Sequence, residues 1–367
     1  MEMNSEVKSK RPQTQMGQRS PDMIVRKENV IGLDGLEFLE FATPDPEAME
    51  GLFTKLGFQH VANHKNKNVK LYRQGRTNFI LNKEDNSFAQ KFYASHGPSI
   101  CGTGFRVKNS DEAFKASVER GAVANDDEFS HSFKTVNGIG NSAIHFVDNY
   151  DENYRNYEAD FDFFDTSKTT EGFGLTIIDH MTNNVPSGEM DEWVKFYSEI
   201  FNFEDVRFFN IRGDATGLLS KVMRSPCNKI TIPINEPTEQ KSQIQEYLDE
   251  YKGSGIQHVA LLTEDIVTSV RKLRESGVEF LDVPDTYYDD LQERIPGITE
   301  NIEDLRQLKI LVDGDADGYL LQIFTKNMIG PIFFEIIQRK NNNGFGEGNF
   351  QALFDAIERD QRARGYL

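Results

Sequence analysis

The sequence predicts an α+β protein built from two related halves. Each half is a pair of strand–helix–strand–strand–strand modules whose sheets curve around a pocket. Three observations predict this. The stretch Gly35-Leu-Glu-Phe-Leu-Glu-Phe41-Ala-Thr reappears as Gly174-Leu-Thr-Ile-Ile-Asp-His180-Met-Thr. A helical pattern and several short strands follow each copy. Each half then holds a second strand–helix pair closed by a glycine, Gly121 in the first and Gly277 in the second. Internal repeats of this kind outrank local signals, because a repeated module buries its apolar face against its neighbours.

Each element has its own reason. Gly35 to Phe41 alternates apolar and polar residues, as a half-buried strand does. Asp45 to Gly57 carries early acids, Pro46 in the first turn and a terminal glycine, the marks of a helix. Phe58–Val61, Val69–Arg73, Asn78–Leu81 and Ile100–Val107 read as strands, Ser110–Arg120 as a helix and Ala143–Val147 as a strand. Residues 149–171, rich in Asp, Tyr and Glu, read as the connection between halves. The second half repeats the order. Helix is expected over Glu189–Ile200, Gln240–Tyr251 and Asp265–Ser276. Strands are expected at Phe203–Asn210, Ser220–Met223, Ile230–Ile234, Gly255–Leu262, Gln307–Val312, Leu320–Phe324 and Phe333–Ile337. After a glycine-rich turn, Asn349 can cap a final helix with Phe350, Leu353, Phe354 and Ile357 on one face. The expected organisation is a disordered tail at 1–28, a first domain at 29–165 and a second at 166–367.

The 367 residues fit about two domains at roughly 150 residues each. A net charge of −18 argues against nucleic acid and anionic membranes as partners. Two distant cysteines, Cys101 and Cys227, give no disulfide framework and suit a reducing compartment, hence the cytoplasm. No apolar run approaches the roughly 20 residues of a membrane span, and the polar N-terminus does not read as a secretory signal.

The chemistry concentrates in the second half. Glu335 stands alone in the apolar run Ile332-Phe-Phe-Glu-Ile-Ile337, where burial without a partner is costly. His180 and His258 lie in the first strands of the two modules, and the three residues are 78 and 77 positions apart. No local metal motif is present. The argument is topological: corresponding strands face one pocket, so the three side chains can converge there. Two histidines and a carboxylate form the facial triad of non-haem Fe(II) oxygenases. A histidine in an apolar strand is more often a plain core residue, and His60, His64, His96, His131 and His145 are read that way. The first half serves as an internal control. Phe41 is expected at the place of His180 and Phe146 at that of Glu335, which makes the first half a metal-free copy. Asn235, at a strand end, reads as turn chemistry or as a polar group at a pocket mouth. Gln322 shares a face with Leu320 and Phe324 and reads as pointing into a pocket or to solvent.

The blocks Gly255-Ile-Gln-His-Val-Ala-Leu, Gly318-Tyr-Leu-Leu-Gln-Ile-Phe-Thr, Phe333-Phe-Glu-Ile-Ile-Gln-Arg and Gly344-Phe-Gly-Glu-Gly-Asn-Phe resemble the 4-hydroxyphenylpyruvate dioxygenase family from about residue 30 onward. The resemblance implies the vicinal oxygen chelate fold (glyoxalase/extradiol dioxygenase-like), with a degenerate N-terminal domain, a catalytic C-terminal domain and a C-terminal gating helix. It implies one Fe(II) per subunit on His180, His258 and Glu335. Ser220, Asn235, Gln243 and Gln322 would supply polar substrate contacts. Phe324 and Phe350 would bracket the aromatic ring, with Asn349 beside them. The implied reaction turns 4-hydroxyphenylpyruvate and O2 into homogentisate and CO2 in tyrosine catabolism, and the implied assembly is a homodimer or homotetramer. The alternatives are 4-hydroxymandelate synthase chemistry on the same substrate, an extradiol ring-cleaving dioxygenase and a metal-free binding module.

Overall fold

In a computed structural model, the residues described are 23–127, 129, 131–150, 155–164, 170–212, 216–314, 318–350, 357–358, 361–362 and 364–365. Alternation and β-branched runs become strands as expected. The first half holds β1 (Leu33–Ala42), β2 (Gln59–His64), β3 (Val69–Gln74), β4 (Thr77–Asn82), β5 (Ser99–Val107), β6 (Lys134–Asn137), β7 (Ala143–Val147) and β8 (Phe161–Phe163). The second half holds β9 (Leu175–Asn184), β10 (Glu204–Arg212), β11 (Gly217–Arg224), β12 (Thr231–Pro237), β13 (Gly255–Thr263), β14 (Leu311–Gly314), β15 (Tyr319–Phe324) and β16 (Phe333–Lys340). They form two eight-stranded mixed sheets, ordered β6-β7-β5-β1-β4-β3-β2-β8 and β10-β11-β12-β9-β13-β16-β15-β14. Read from opposite ends and offset by one strand, seven strands of the two orders correspond, β6 with β15 through β2 with β10, and β8 and β14 are left over; this is the duplication seen in the sequence. In each sheet the first strands of the two modules pair antiparallel, β1 with β5 and β9 with β13.

Helices pack against these sheets and close as their cap residues dictate. Asp45 accepts from Ala48 N, Asn109 from Glu112 N and Asp265 from Thr268 N. Each carboxylate or amide oxygen satisfies one orphan donor of the first turn. The two halves share one apolar core that runs from Ile31 through Phe79 to Phe334 and Ile336.

Four local expectations are corrected. Gln307–Leu308 end a helix (Ile302–Leu308) instead of opening a strand, and Lys309 caps it in the left-handed conformation, so β14 starts only at Leu311. A helix at Phe88–His96, capped by Ser87, was not anticipated. The connection at 149–171 contains a short helix (Arg155–Glu158) and β8. Residues 23–28 were expected within a tail. Met23 and Val25 are instead buried against Val206, Phe209, Val222 and Phe345, and Val25 exchanges hydrogen bonds with the Asn228 side chain. The rest of the expected tail, 1–22, and Leu353 and Phe354 of the expected final helix lie outside the described residues. Residues 357, 358, 361, 362 and 364 are helical.

Candidate metal centre and substrate cavity

The register of the second sheet assembles the triad. Ala260 of β13 pairs with His180 on one side and with Glu335 on the other. One step along, His258 lies between Thr182 and Phe333. The three side chains therefore stand on the same face in two adjacent rows. His180 Nε2 lies 3.2 Å and His258 Nε2 3.7 Å from Glu335 Oε2. All three ligand atoms fall within 4.8 Å of one another and are buried or nearly so.

Each histidine is preceded by a bulge. Ile178 and His180 pair with successive residues of β13, which leaves Asp179 as the extra residue. Gln257 is likewise extra between Ile256 and His258. A bulge breaks the strict alternation of faces, so the extra side chain can reach the ring beside it. Asp179 Oδ2 lies 2.8 Å from His180 Nδ1, and Gln257 Oε1 3.1 Å from His258 Nδ1. Both acceptors take the Nδ1 proton and so aim Nε2 at the centre, the arrangement that orients metal-binding imidazoles. Arg339 completes the His180 arm. Its Nε donates to Asp179 Oδ1 at 2.8 Å and its Nη2 to Oδ2 at 2.7 Å, a bidentate pair.

Burial alone would raise the Asp179 carboxyl, but Arg339 overrides it and holds the group far below the usual carboxylate range. Burial likewise opposes a charged His180, yet Glu335 and Asp179 lift it to about 9. Burial pushes His258 well below the ordinary histidine value. Positive charge is thus favoured between His180 and Glu335. Glu335 Oε1 is buried with no hydrogen-bond partner among the described residues. A divalent cation on two imidazoles and this carboxylate fits both facts.

The triad forms one wall of a cavity with about 670 Å³ of empty space, part of it open to solvent. Phe209, Ser220, Asn235 and Asn184 are successive partners across β10, β11, β12 and β9, so they form one row over the pocket. Asn235 Nδ2 donates to Asn184 Oδ1 at 3.2 Å. Ser220, Asn235, Gln243, Phe324 and Phe350 all line the cavity, together with Phe333, Phe345 and Pro233. Phe333 stacks on His258 at 4.8 Å, and Phe345 meets His180 edge-on at 5.5 Å.

Gln322 and Asn349 lie beside this cavity and do not line it. Gln322 is fully buried and neither amide atom has a hydrogen-bond partner among the described residues. It lies under Gly346, where an added Cβ would come 2.2 Å from its Oε1. Asn349 ends a 3₁₀ turn directly before the first helical residue, Phe350, and its Oδ1 accepts from the Tyr287 hydroxyl at 2.6 Å; the backbone that it would cap lies outside the described residues. Asp179, Gln257, Arg339, Phe333 and Phe345 were not singled out in the sequence. An acid directly before a histidine in a strand is the one signal that pointed to any of them.

The internal control shifts with the register. Phe38, paired with Gly104, stands where His180 stands, and His145, also paired with Gly104, stands where Glu335 stands. The expected correspondences at Phe41 and Phe146 are displaced by three residues and by one: the match of Gly35 to Gly174 sets an offset of 139, whereas the pairing of β1 with β5 and of β9 with β13 sets one of 142.

Comparison with known proteins agrees with this geometry. Residues 27–162 match the family described as "Hydroxyphenylpyruvate dioxygenase, HPPD, N-terminal", and residues 177–323 match the Glyoxalase/Bleomycin resistance protein/Dioxygenase superfamily. A 4-hydroxyphenylpyruvate dioxygenase of Legionella pneumophila (strain Corby) is 49% identical over 94% of this chain and 99% of its own. Another from Pseudomonas aeruginosa is 47% identical over 94% and 98%. Among solved structures, a xylose isomerase-like TIM barrel/4-hydroxyphenylpyruvate dioxygenase fusion protein aligns with a TM-score of 0.77 at 32% identity. That alignment covers 89% of this chain and 53% of the fusion. A triple mutant of 4-hydroxymandelate synthase from Streptomyces coelicolor aligns with a TM-score of 0.78 at 28% identity, over 90% and 99% of the two chains. The chain is an enzyme that belongs to the 4-hydroxyphenylpyruvate dioxygenase family, on the vicinal oxygen chelate fold.

Proposed function

We propose that the chain converts 4-hydroxyphenylpyruvate and O2 to homogentisate and CO2 in tyrosine catabolism, with one Fe(II) on His180, His258 and Glu335. The observation that carries this is the convergence of both Nε2 atoms on Glu335 Oε2 at the wall of an aromatic-lined cavity. When bound, Fe(II) supplies the redox centre for O2 and a template for the 2-oxo acid. The chain's own residues do the rest. Asp179 and Gln257 fix the two imidazoles, and Arg339 keeps Asp179 charged. Phe324, Phe333 and Phe350 offer faces and edges to a phenol ring. The adjacent Ser220 and Asn235, with Gln243, offer hydrogen bonds to its polar ends. The apolar remainder of the wall excludes water from the reaction. Gln322 and Asn349 act one layer out, beneath the glycine-rich turn. Membership of the family also supports a cytoplasmic homo-oligomer, dimer or tetramer, which fractionation and light scattering check.

The test is oxygen uptake with 4-hydroxyphenylpyruvate, with and without Fe(II), followed by mass spectrometry of the product. Iron-dependent uptake and homogentisate are expected. The structural likeness to a 4-hydroxymandelate synthase makes 4-hydroxymandelate the product that would overturn the reaction assignment. His258→Ala is expected to abolish uptake and release the iron. Wild-type iron content in that variant would overturn the ligand assignment.

A further inference from the structure

The first half contains a second cluster of metal-ligating side chains. Glu40 on β1, His145 on β7 and His131 in the loop before β6 bring one ligand atom each to within 4.8 Å of one another, and all three residues are buried. The cluster is not a copy of the first centre. His145 takes the strand position that Glu335 has in the second half. Glu40 pairs with Gly102, the position of His258, and so stands where Thr182 stands. Gly102 is what makes the arrangement possible. A Cβ there would lie 2.7 Å from His145 Nε2, so the absent side chain leaves the space that the ring occupies.

The donor geometry is that of a cation cage. Glu40 Oε2 lies 3.6 Å from His145 Nε2 and 3.8 Å from His131 Nε2. Ligands held at 2.0–2.1 Å from a shared tetrahedral ion would be about 3.3–3.5 Å apart, and the first centre spans 3.2 and 3.7 Å. The outer atoms are set for this. Thr135 Oγ1 donates to Phe133 O, so it accepts from His145 Nδ1 at 2.8 Å, and the His145 lone pair is left on Nε2, facing Glu40. Asn82 Nδ2 donates to Glu40 Oε1 at 2.8 Å and turns the other oxygen to the rings. Among the described residues, neither His131 Nε2 nor His145 Nε2 has a hydrogen-bond partner, and both side chains are at most 1% exposed. Phe133 N approaches His131 Nδ1 at 3.4 Å, a weak contact that a metal on Nε2 would give up. Burial keeps both rings neutral, with His145 pushed down to about 3. Phe38, Phe129 and Phe133 pack around the two imidazoles and close the site to substrates.

We propose that Glu40, His131 and His145 form a second, structural site for a divalent transition ion of the zinc class. Two imidazoles and a carboxylate suit such an ion, and enclosure by aromatic rings suits a structural role. The fourth tetrahedral position falls to a water. This proposal stands independently of the reaction assigned to the other centre.

The test is metal content of the full-length chain after zinc saturation and desalting, for wild type, His145→Gln and His258→Ala. Wild type is expected to hold two ions per chain and each variant one. His145→Gln is expected to keep its O2 uptake after iron reconstitution and to melt at lower temperature. Equal metal content in wild type and His145→Gln would overturn the proposal. Should His145→Gln fail to fold, cobalt(II) substitution decides through Glu40→Gln. An intense tetrahedral visible band is expected in wild type and absent from that variant. A wild-type spectrum without that band overturns the second site, and loss of iron from His258→Ala reports on the first centre separately.

Discussion

At the scale of single residues, the centre depends on groups that never touch the cation. Arg339 and Asp179 are 160 residues apart in sequence and lie on strands separated by β13. Asp179→Asn would keep the shape but lose the bidentate ion pair and the charge behind His180. Metal affinity is expected to fall about 10–100-fold, the usual cost of losing such a partner, as read by competition with a coloured chelator. Arg339→Met should be worse for folding, because it leaves the buried Asp179 carboxylate with His180 alone. Gly346 makes a third case. Its φ of 76° and the 2.2 Å approach of Gln322 Oε1 exclude any side chain. Gly346→Ala is expected to raise KM through displacement of the turn that carries Phe345 and Phe350. The three proposed ligands stand out in sequence because a charged or polar side chain in an apolar strand demands a reason. Asp179, Gln257 and Arg339 do not, because their role exists only once the sheet is curled.

At the scale of elements, most strands and helices could be read from alternation, early acids and closing glycines. What could not be read was the bulge. One extra residue at Asp179, at Gln257, at Glu37 and at Cys101 shifts the strand pairing by one. The bulges fall at matching places in the two halves, so His180 still corresponds to Phe38 and Glu335 to His145; the expected Phe41 follows from matching Gly35 to Gly174, three residues out of step, and Phe146 from a slip of one in β7. Pattern does not mark such insertions: Glu37 lies between Leu36 and Phe38, and Asp179 and Gln257 each lie between an isoleucine and a histidine. The ends of helices are better specified. Asp265 accepts from Thr268 N at 3.0 Å and from the Thr268 hydroxyl at 2.6 Å. Its hydrogen bonds to Thr268 hold the carboxyl below its usual range. The folded-state value is depressed, so the cap's contribution is present above the unfolded carboxylate range and is lost as pH falls through the folded one. Asp265→Ala is expected to cost about 1 kcal/mol near neutral pH and less in acid, by thermal melting, with turnover unchanged.

At the scale of the whole molecule, the duplication was legible and the union of the halves was not. Gly140, with φ of 63°, lies where a Cβ would come 2.0 Å from Ser254 O of the other half. Gly140→Ala is expected to destabilise the chain by about 2–4 kcal/mol through overpacking and left-handed strain, measured by denaturant unfolding. Lys229 pairs with Asp34, and Arg120 donates to Ile200 O and Asn202 Oδ1, so polar links flank the common core. That core contains Phe79 and Phe334, whose ring centroids are 6.2 Å apart. The contact has a consequence for birth in the cell. Phe79 leaves the ribosome some 250 residues before its neighbour, and at about 5–20 residues per second its apolar surroundings wait many seconds for cover. The nascent chain is therefore a natural client for chaperones, and synthesis in a lysate depleted of them should yield aggregates rich in the first half.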